Sequence, residues 1–292
     1  KLIMNIGVFF GGKNTEHDVS IITGQLIIQG LKDLGHSPVP VYISKDGEWF
    51  ADIKMDNLEF FKTLTKEKLK KVQKFSIDLK EGSADGLPIT KKSLLKTNQL
   101  KIDIAFPALH GKNGEDGTIQ GLFELLNIPY VGCDVTSSAI TIDKALTKLM
   151  YQRFNFPTAR FIYFEKEEYL ANPKKYITQL QDELPWPMII KPATLGSSIG
   201  ISKAINEKEL ANAIEVALHY DYKVVVEEAI EDLMDLTVCV IGNKEPKASL
   251  IQESGYTKDL FSYEDKYLED GGAQLGNAEK KIIIPASLDE KT

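Results

Sequence analysis

Residues Ile6 to Phe10 form an unbroken apolar run that ends on Gly11-Gly12. A run this short, stopped by glycine, reads as a strand buried on both faces. A polar loop follows. Ser20 then stands where it can cap a helix whose apolar positions Ile21, Ile22, Leu26, Ile27, Leu31 and Leu34 suit a buried face, and Gly35 stops that helix. Val39 to Ile43 reads as the next strand. Strand, loop, helix and strand in this order open an α/β sheet.

The rest extends that pattern and then changes it. Ile102 to Leu109 is expected to be a strand, His110 to Gly117 a loop, Thr118 to Leu126 a helix and Tyr130-Val131 a short strand. Residues 51 to 100 look like a charged, helical elaboration with a turn-rich patch at Glu81 to Pro88; Lys66 to Lys74 reads as the wet face of a helix. Near Thr136 the character shifts. Helices are expected over Ser137 to Phe154, Glu165 to Leu184 and Glu207 to His219. Strands of antiparallel type are expected at Arg160 to Phe164, Met188 to Lys191 and Ile199 to Lys203, and further strands at Val224 to Glu228, Leu236 to Ile241 and Ala248 to Glu253. A polar tail with Asp270-Gly-Gly272 and Gly276-Asn277 precedes a last strand-like run, Lys281 to Pro285.

Composition narrows the function classes. The 292 residues suggest about two domains, and their make-up is that of a globular protein. With 42 acidic residues against 35 basic ones the net charge is −7, and no basic stripe offers a nucleic-acid surface. No apolar run is long enough to cross a membrane. The start mimics a signal peptide but lacks a small-x-small cleavage site. Cys133 and Cys239 form neither a disulfide framework nor a metal knuckle, which suits a reducing compartment. The four histidines, His17, His36, His110 and His219, are not at metal-ligand spacing.

Four polar segments stand at strand ends, where open α/β sheets place ligands. In Gly11 to Ser20, the glycines allow close backbone approach and Glu16 can hold an ammonium group; the plainer reading is a tight turn with Asp18 or Ser20 as cap. In His110-Gly-Lys-Asn-Gly-Glu-Asp-Gly117 there are three glycines and two acids, more than a turn needs. His110 is placed to touch a substrate, and the plainer reading has Asp116 or Thr118 capping the helix. Lys191-Pro-Ala-Thr-Leu-Gly-Ser-Ser-Ile-Gly200 suits a phosphate grip of N–H groups, hydroxyls and an ammonium, against a hairpin loop with a solvated lysine. It is neither a Walker A nor a G-x-G-x-x-G sequence. Last come Glu227-Glu228, whose side chains should point to opposite faces of a strand, then Asp235, then Tyr263-Glu-Asp-Lys-Tyr267.

In this order the segments resemble the D-alanine–D-alanine ligases of the ATP-grasp superfamily, from Met4 to the last residue. The resemblance rests on Gly-Gly-x-x-x-Glu-His-x-Val-Ser (11–20), His-Gly-x-x-Gly-Glu-Asp-Gly-x-x-Gln-Gly (110–121), Ile142-Asp143-Lys144, Lys191-Pro with Gly-Ser-Ser-x-Gly (196–200), and Tyr263-Glu-x-Lys-Tyr267. It implies an ATP-grasp fold: an N-terminal open α/β domain (1–135), then central (136–226) and incomplete C-terminal (227–292) α+β parts enclosing the nucleotide. It implies ATP-dependent joining of two D-alanines through an acyl phosphate, for peptidoglycan precursors, in the cytoplasm and as a homodimer. Lys144, Lys191 and Lys266 match positions that neutralise ATP phosphates, with Ser197 and Ser198 in the same grip. Glu16 matches the holder of the first ammonium, Ser197 and Tyr267 its hydrogen-bonded partners, and His110 a substrate contact. Glu227, Glu228 and Ile230 match the adenine edge, and Asp235 the ribose carboxylate. Tyr267 favours an amine over a hydroxyl nucleophile.

Several positions depart from the family pattern. Asn14 replaces a usual serine, Met234-Asp235 a common Arg-Glu, and Ile142 a methionine; the hairpin Glu231 to Leu233 is a residue longer than in some members. The family's further segment carries an oxyanion arginine, the acidic ligands of Mg²⁺ (or Mn²⁺) and a serine near the second substrate. The metal ligands are therefore expected beyond Thr292, and this chain alone is expected to bind nucleotide without efficient catalysis. A D-Ala–D-Ser ligase and an inactive nucleotide-binding module are the alternatives.

Overall fold

The computed structural model describes residues 3–74, 87–90, 99–254 and 282–289. Its chain forms two compact units. One comprises residues 1–158, 192–196 and 218–225, the other 159–191, 197–217 and 226–292.

The first sheet has the order β3-β2-β1-β6, built from β1 (Asn5–Gly11), β2 (Ser37–Ile43), β3 (Trp49–Ala51) and β6 (Ile104–Pro107). β1 lies in the middle, parallel to both β2 and β6, while β3 is antiparallel. Helix α1 (His17–Asp33) links β1 to β2. The chain therefore passes to one side of β1 first and to the other later, which places a topological switch point between β1 and β6.

Alternation along β1 divides the core. Phe9 packs with Val39, Val41, Ala105 and Phe123 on one face, whereas Val8 and Phe10 pack with Ile21, Ile28 and Tyr42 on the other. Full burial of a side chain such as Phe9 contributes about 1.5–3 kcal/mol. Two prolines in β2 are tolerated for a simple reason. Pro38 and Pro40 lie where β3, which pairs only with Val41 to Ile43, does not reach, so their missing N–H groups face an open edge.

Gly35 is left-handed just after α1, as expected of a C-terminal stop. Ser20 does not cap that helix. It lies inside the first turn, where its hydroxyl accepts from Gly11 N at 2.8 Å and donates to Ala108 O at 2.7 Å. The expected strand from Ile102 is broken at Asp103, whose main-chain and side-chain groups bond Asn5, so β6 begins at Ile104. Tyr130 contributes an isolated parallel bridge to Ala105.

Within residues 51–100 the described part holds a 3₁₀ turn (Ile53–Met55), α2 (Leu58–Lys62), α3 (Lys66–Leu69), β4 (Leu87–Thr90) and β5 (Gln99–Ile102). The lysine-rich helix is thus a single turn, capped by Thr65, because Val72 turns back into the core. Most of the Glu81 to Pro88 patch lies outside the described residues.

After α4 (Thr118–Leu125), the expected helix Ser137 to Phe154 is two, α5 (Val135–Ile142) and α6 (Lys144–Arg153), broken at the extended residue Asp143. After β7 (Phe161–Glu165), the expected helix Glu165 to Leu184 is also two, α7 (Lys166–Ala171) and α8 (Pro173–Glu183). Here Asn172 caps the second helix and Pro173 opens it.

A second sheet has the order β7-β10-β8-β9, with β8 (Met188–Pro192), β9 (Ser202–Ala204) and β10 (Lys223–Glu228); α9 (Glu207–Tyr220) precedes β10. The expected strand from Ile199 starts only at Ser202, since Ser197, Ser198 and Gly200 all have positive φ. The two later strands are subdivided into β11 (Asp235–Thr237), β12 (Val240–Ile241), β13 (Lys247–Ala248) and β14 (Gln252–Ser254), and β15 (Ile282–Ile283) joins β14. Among the described residues no helix is long and apolar enough to cross a membrane.

Candidate functional site

Parallel β1 and β6 send their following loops out at the same sheet edge. Glu16 closes the first loop at the head of α1, with its side chain almost wholly buried (3% exposed). Its carboxylate lies against two stretches of bare backbone. A methyl group on Gly111 would overlap Glu16 Oε2, and one on Gly196 would come within 3.1 Å of Oε1. Gly111 also has φ +64, a conformation that glycine takes without strain.

The second loop folds on its own acids. Glu115 accepts from Gly111 N at 2.7 Å, while Asp116 accepts from Asn113 N at 2.8 Å and from Thr118 N at 3.0 Å. Asp116 therefore serves the head of α4, with left-handed Gly117 as the residue before it. His110 is held through its ring, Nε2 lying 2.8 Å from Thr23 Oγ1. Asn14 ties the two loops together, donating to His110 O at 2.9 Å and to Lys112 O at 3.0 Å.

His17, next to Glu16, is structural. Its Nδ1 is 2.6 Å from Gly12 O and its Nε2 3.1 Å from Tyr42 Oη, a pair of bonds that a neutral ring satisfies with the proton on Nδ1. Burial pushes its pKa below the usual histidine value, outweighing the opposing bond to Gly12. Burial also pushes Tyr42 up to about 12. A histidine with a depressed folded pKa binds its proton more readily when unfolded, so its contribution is complete above about pH 6.5 and is lost as pH falls toward the folded pKa. The melting temperature should therefore begin to fall as pH drops from 7.5 through 6, and His17→Gln should flatten that slope. An equal slope in the variant refutes the assignment.

Lys144 opens α6, where a cation opposes the helix dipole. Its position is set by the chain of residues 193–195: Lys144 N donates to Ala193 O at 2.9 Å and Nζ to Leu195 O at 2.5 Å. The same segment is strapped by Asp221, which accepts from Thr194 N and Oγ1, and by Lys223 O, which accepts from Ala193 N. Beneath it lies a buried ion pair. Asp143 caps α6 at Ala145 N and Leu146 N, and its other oxygen meets Lys223 Nζ at 2.6 Å. Burial alone would lower the Lys223 pKa, but the hydrogen bond and charge of Asp143 together raise it. The sequence reading missed Lys223. The signal was a lysine heading the buried run Val224-Val225-Val226, a place where an unpaired charge is very costly.

In the other unit, Lys191 on β8 forms an ion pair with Glu227 on β10. Glu228 projects oppositely and takes Arg160, accepting from both its N and its Nε at 2.8 Å. The adjacent glutamates thus serve different partners, as strand alternation requires. Ser197 and Ser198 follow β8 in left-handed conformations, with φ 53 and 58. Ile230 is exposed, and Asp235 begins β11. The structure thus gathers Glu16, His110 and Lys144 in one unit, and Lys191, Ser197, Ser198, Glu227, Glu228, Ile230 and Asp235 in the other. Lys266 and Tyr267 lie outside the described residues. Among the described residues no group of three His, Cys, Asp or Glu side chains is placed to hold a metal ion.

Comparison with known proteins identifies the family. A family model described as D-ala D-ala ligase N-terminus matches residues 5–133, and one described as D-ala D-ala ligase C-terminus matches residues 150–292. A D-alanine--D-alanine ligase of Thermosipho africanus is 39% identical over 290 residues, covering 99% of this chain and 74% of the relative. Among solved structures, the VanG D-Ala:D-Ser ligase of Enterococcus faecalis superposes with TM-score 0.76 at 30% identity, covering 99% of this chain and 78% of that one. The D-alanine-D-alanine ligase of Coxiella burnetii does so with TM-score 0.72 at 30% identity, covering 86% and 70%.

Proposed function

Because this chain belongs to the D-alanine–D-alanine ligase family, with an ATP-grasp fold, we propose that its buried Glu16 and its lysines divide the work of an ATP-dependent ligation. The activity is the joining of two D-alanines to D-alanyl-D-alanine for peptidoglycan precursors. A carboxylate does not accept an amine at neutral pH, because its oxygen is too poor a leaving group. ATP supplies the remedy. A carboxylate oxygen of the first D-alanine takes the γ-phosphoryl group, and ADP departs. The amine of the second D-alanine then attacks the acyl carbon, loses a proton, and inorganic phosphate leaves.

Each step asks something of named residues. Glu16 holds the ammonium of the first D-alanine, with His110 as a further substrate contact and with Ser197 and Tyr267 as the other two catalytic side chains. Lys144, Lys191 and Lys266, with the 197–198 loop, neutralise the triphosphate so that two anions can meet. Glu227, Glu228 and Ile230 border the adenine, and Asp235 takes the ribose hydroxyls. A divalent cation, Mg²⁺ or Mn²⁺, would supply further screening of the phosphate charge. This reading includes three parts divided near residues 135 and 226. It also puts the protein in the cytoplasm, a reading supported by two exposed, unbridged cysteines.

The observation that carries the substrate role is the Glu16 carboxylate, buried against Gly111 and Gly196. A buried carboxylate walled by backbone is a selective seat for a small ammonium group. Phosphate release from ATP should depend on D-alanine. Glu16→Gln should raise the KM for the first D-alanine about tenfold or more, and Lys191→Ala should weaken ATP instead. Release that ignores D-alanine but follows another amino acid would discard the substrate, and unchanged ATP affinity in Lys191→Ala would discard the phosphate role.

A further inference from the structure

Asn14 makes three hydrogen bonds that no other short side chain can make together. Its Oδ1 accepts from Glu16 N at 2.9 Å, while Nδ2 donates to His110 O at 2.9 Å and to Lys112 O at 3.0 Å. The carbonyls it bonds are 96 and 98 residues away in sequence, on the loop after β6, and they flank Gly111, whose backbone walls the Glu16 carboxylate. A serine has one proton to donate and serves only one of those carbonyls; an alanine serves neither. One amide thus fixes the main chain of Glu16 on one side and the main chain around Gly111 on the other.

We propose that Asn14 is a positioning residue for the first amino acid. By holding the 12–16 loop to the 110–112 loop, it sets the distance between the Glu16 carboxylate and the backbone that encloses it. It touches no reacting atom, so its effect reaches substrate only through Glu16, and the inference rests on the role given to Glu16 above. A seat for a group as small as an ammonium tolerates little misplacement, because its hydrogen bonds weaken steeply with distance and angle.

The test compares Asn14→Ala, Asn14→Ser and Glu16→Gln in D-alanine-dependent phosphate release, with the KM for ATP and the melting temperature measured alongside. Asn14→Ala should raise the KM for the first D-alanine about tenfold while the KM for ATP stays within about twofold. Asn14→Ser, keeping one donor and the acceptor, should recover part of that loss and fall between. Where Asn14→Ala does not fold, the serine variant carries the same comparison by itself. A lowered melting temperature with both KM values unchanged, or equal rises in both, means that Asn14 merely closes the loop and overturns the proposal. An unchanged D-alanine KM in Glu16→Gln overturns the role of Glu16 first, and this inference with it, so the two failures are distinguishable.

Discussion

Gly111→Ala should lower kcat/KM for D-alanine by about a hundredfold or more, the scale on which an ångström of misplacement is felt in an active site. Two costs combine there. The backbone is left-handed (φ +64), and the added methyl group would overlap Glu16 Oε2. The first costs about 1–2 kcal/mol of stability, and the second forces the carboxylate or the 110–112 loop to move. Gly47→Ala separates them. Gly47 is also left-handed (φ +84), yet nothing lies within 4 Å of the position a methyl group would take. That variant should lose similar stability and keep its activity. If the two variants have equal kcat/KM, the glycine wall around Glu16 has no catalytic importance.

Lys223→Met should destabilise the unit containing α6 by about 3–5 kcal/mol in urea unfolding, since it strands the Asp143 carboxylate without its countercharge. Both side chains are buried, at 11% and 7% exposure, so solvent screens little of the loss. Asp143→Asn should cost less, because an amide oxygen still accepts from Ala145 N and Leu146 N and keeps the cap. Combining the two changes should cost less than their sum, as partners in one interaction do. Additive losses would show that the pair is not a unit.

How far the sequence announced this molecule depended on the range of the interactions involved. β1, α1 and the turn at Gly35 follow from apolar spacing and one glycine, all local. The break between α7 and α8 is equally local, since Asn172-Pro173 is a stop and a start in two residues. The break at Asp143 is local in part, since one carboxylate oxygen caps Ala145 N and Leu146 N, but the other oxygen is held by Lys223, 80 residues on. Ser20 misled for the same reason. A serine before a helix is an ordinary cap, but this hydroxyl is already engaged with Ala108, 88 residues away. In the site, Glu16 and its glycines stood out as a motif, yet only folding revealed that the glycines at 111 and 196 enclose one carboxylate. The acids at 115 and 116, conspicuous in sequence, turned out to brace their own loop.

The corner between α5 and α6 has a consequence for how the chain can vary in length. Asp143 reaches inward to Lys223 while its immediate neighbour, Lys144, reaches out to Leu195. A helix turns about 100° per residue, so inserting or deleting one residue here would swing the ammonium roughly a quarter-turn away from its carbonyl. The count between the two anchors is fixed, and the boundary of these helices should behave as a register mark, intolerant of indels, in any functional variant of this chain.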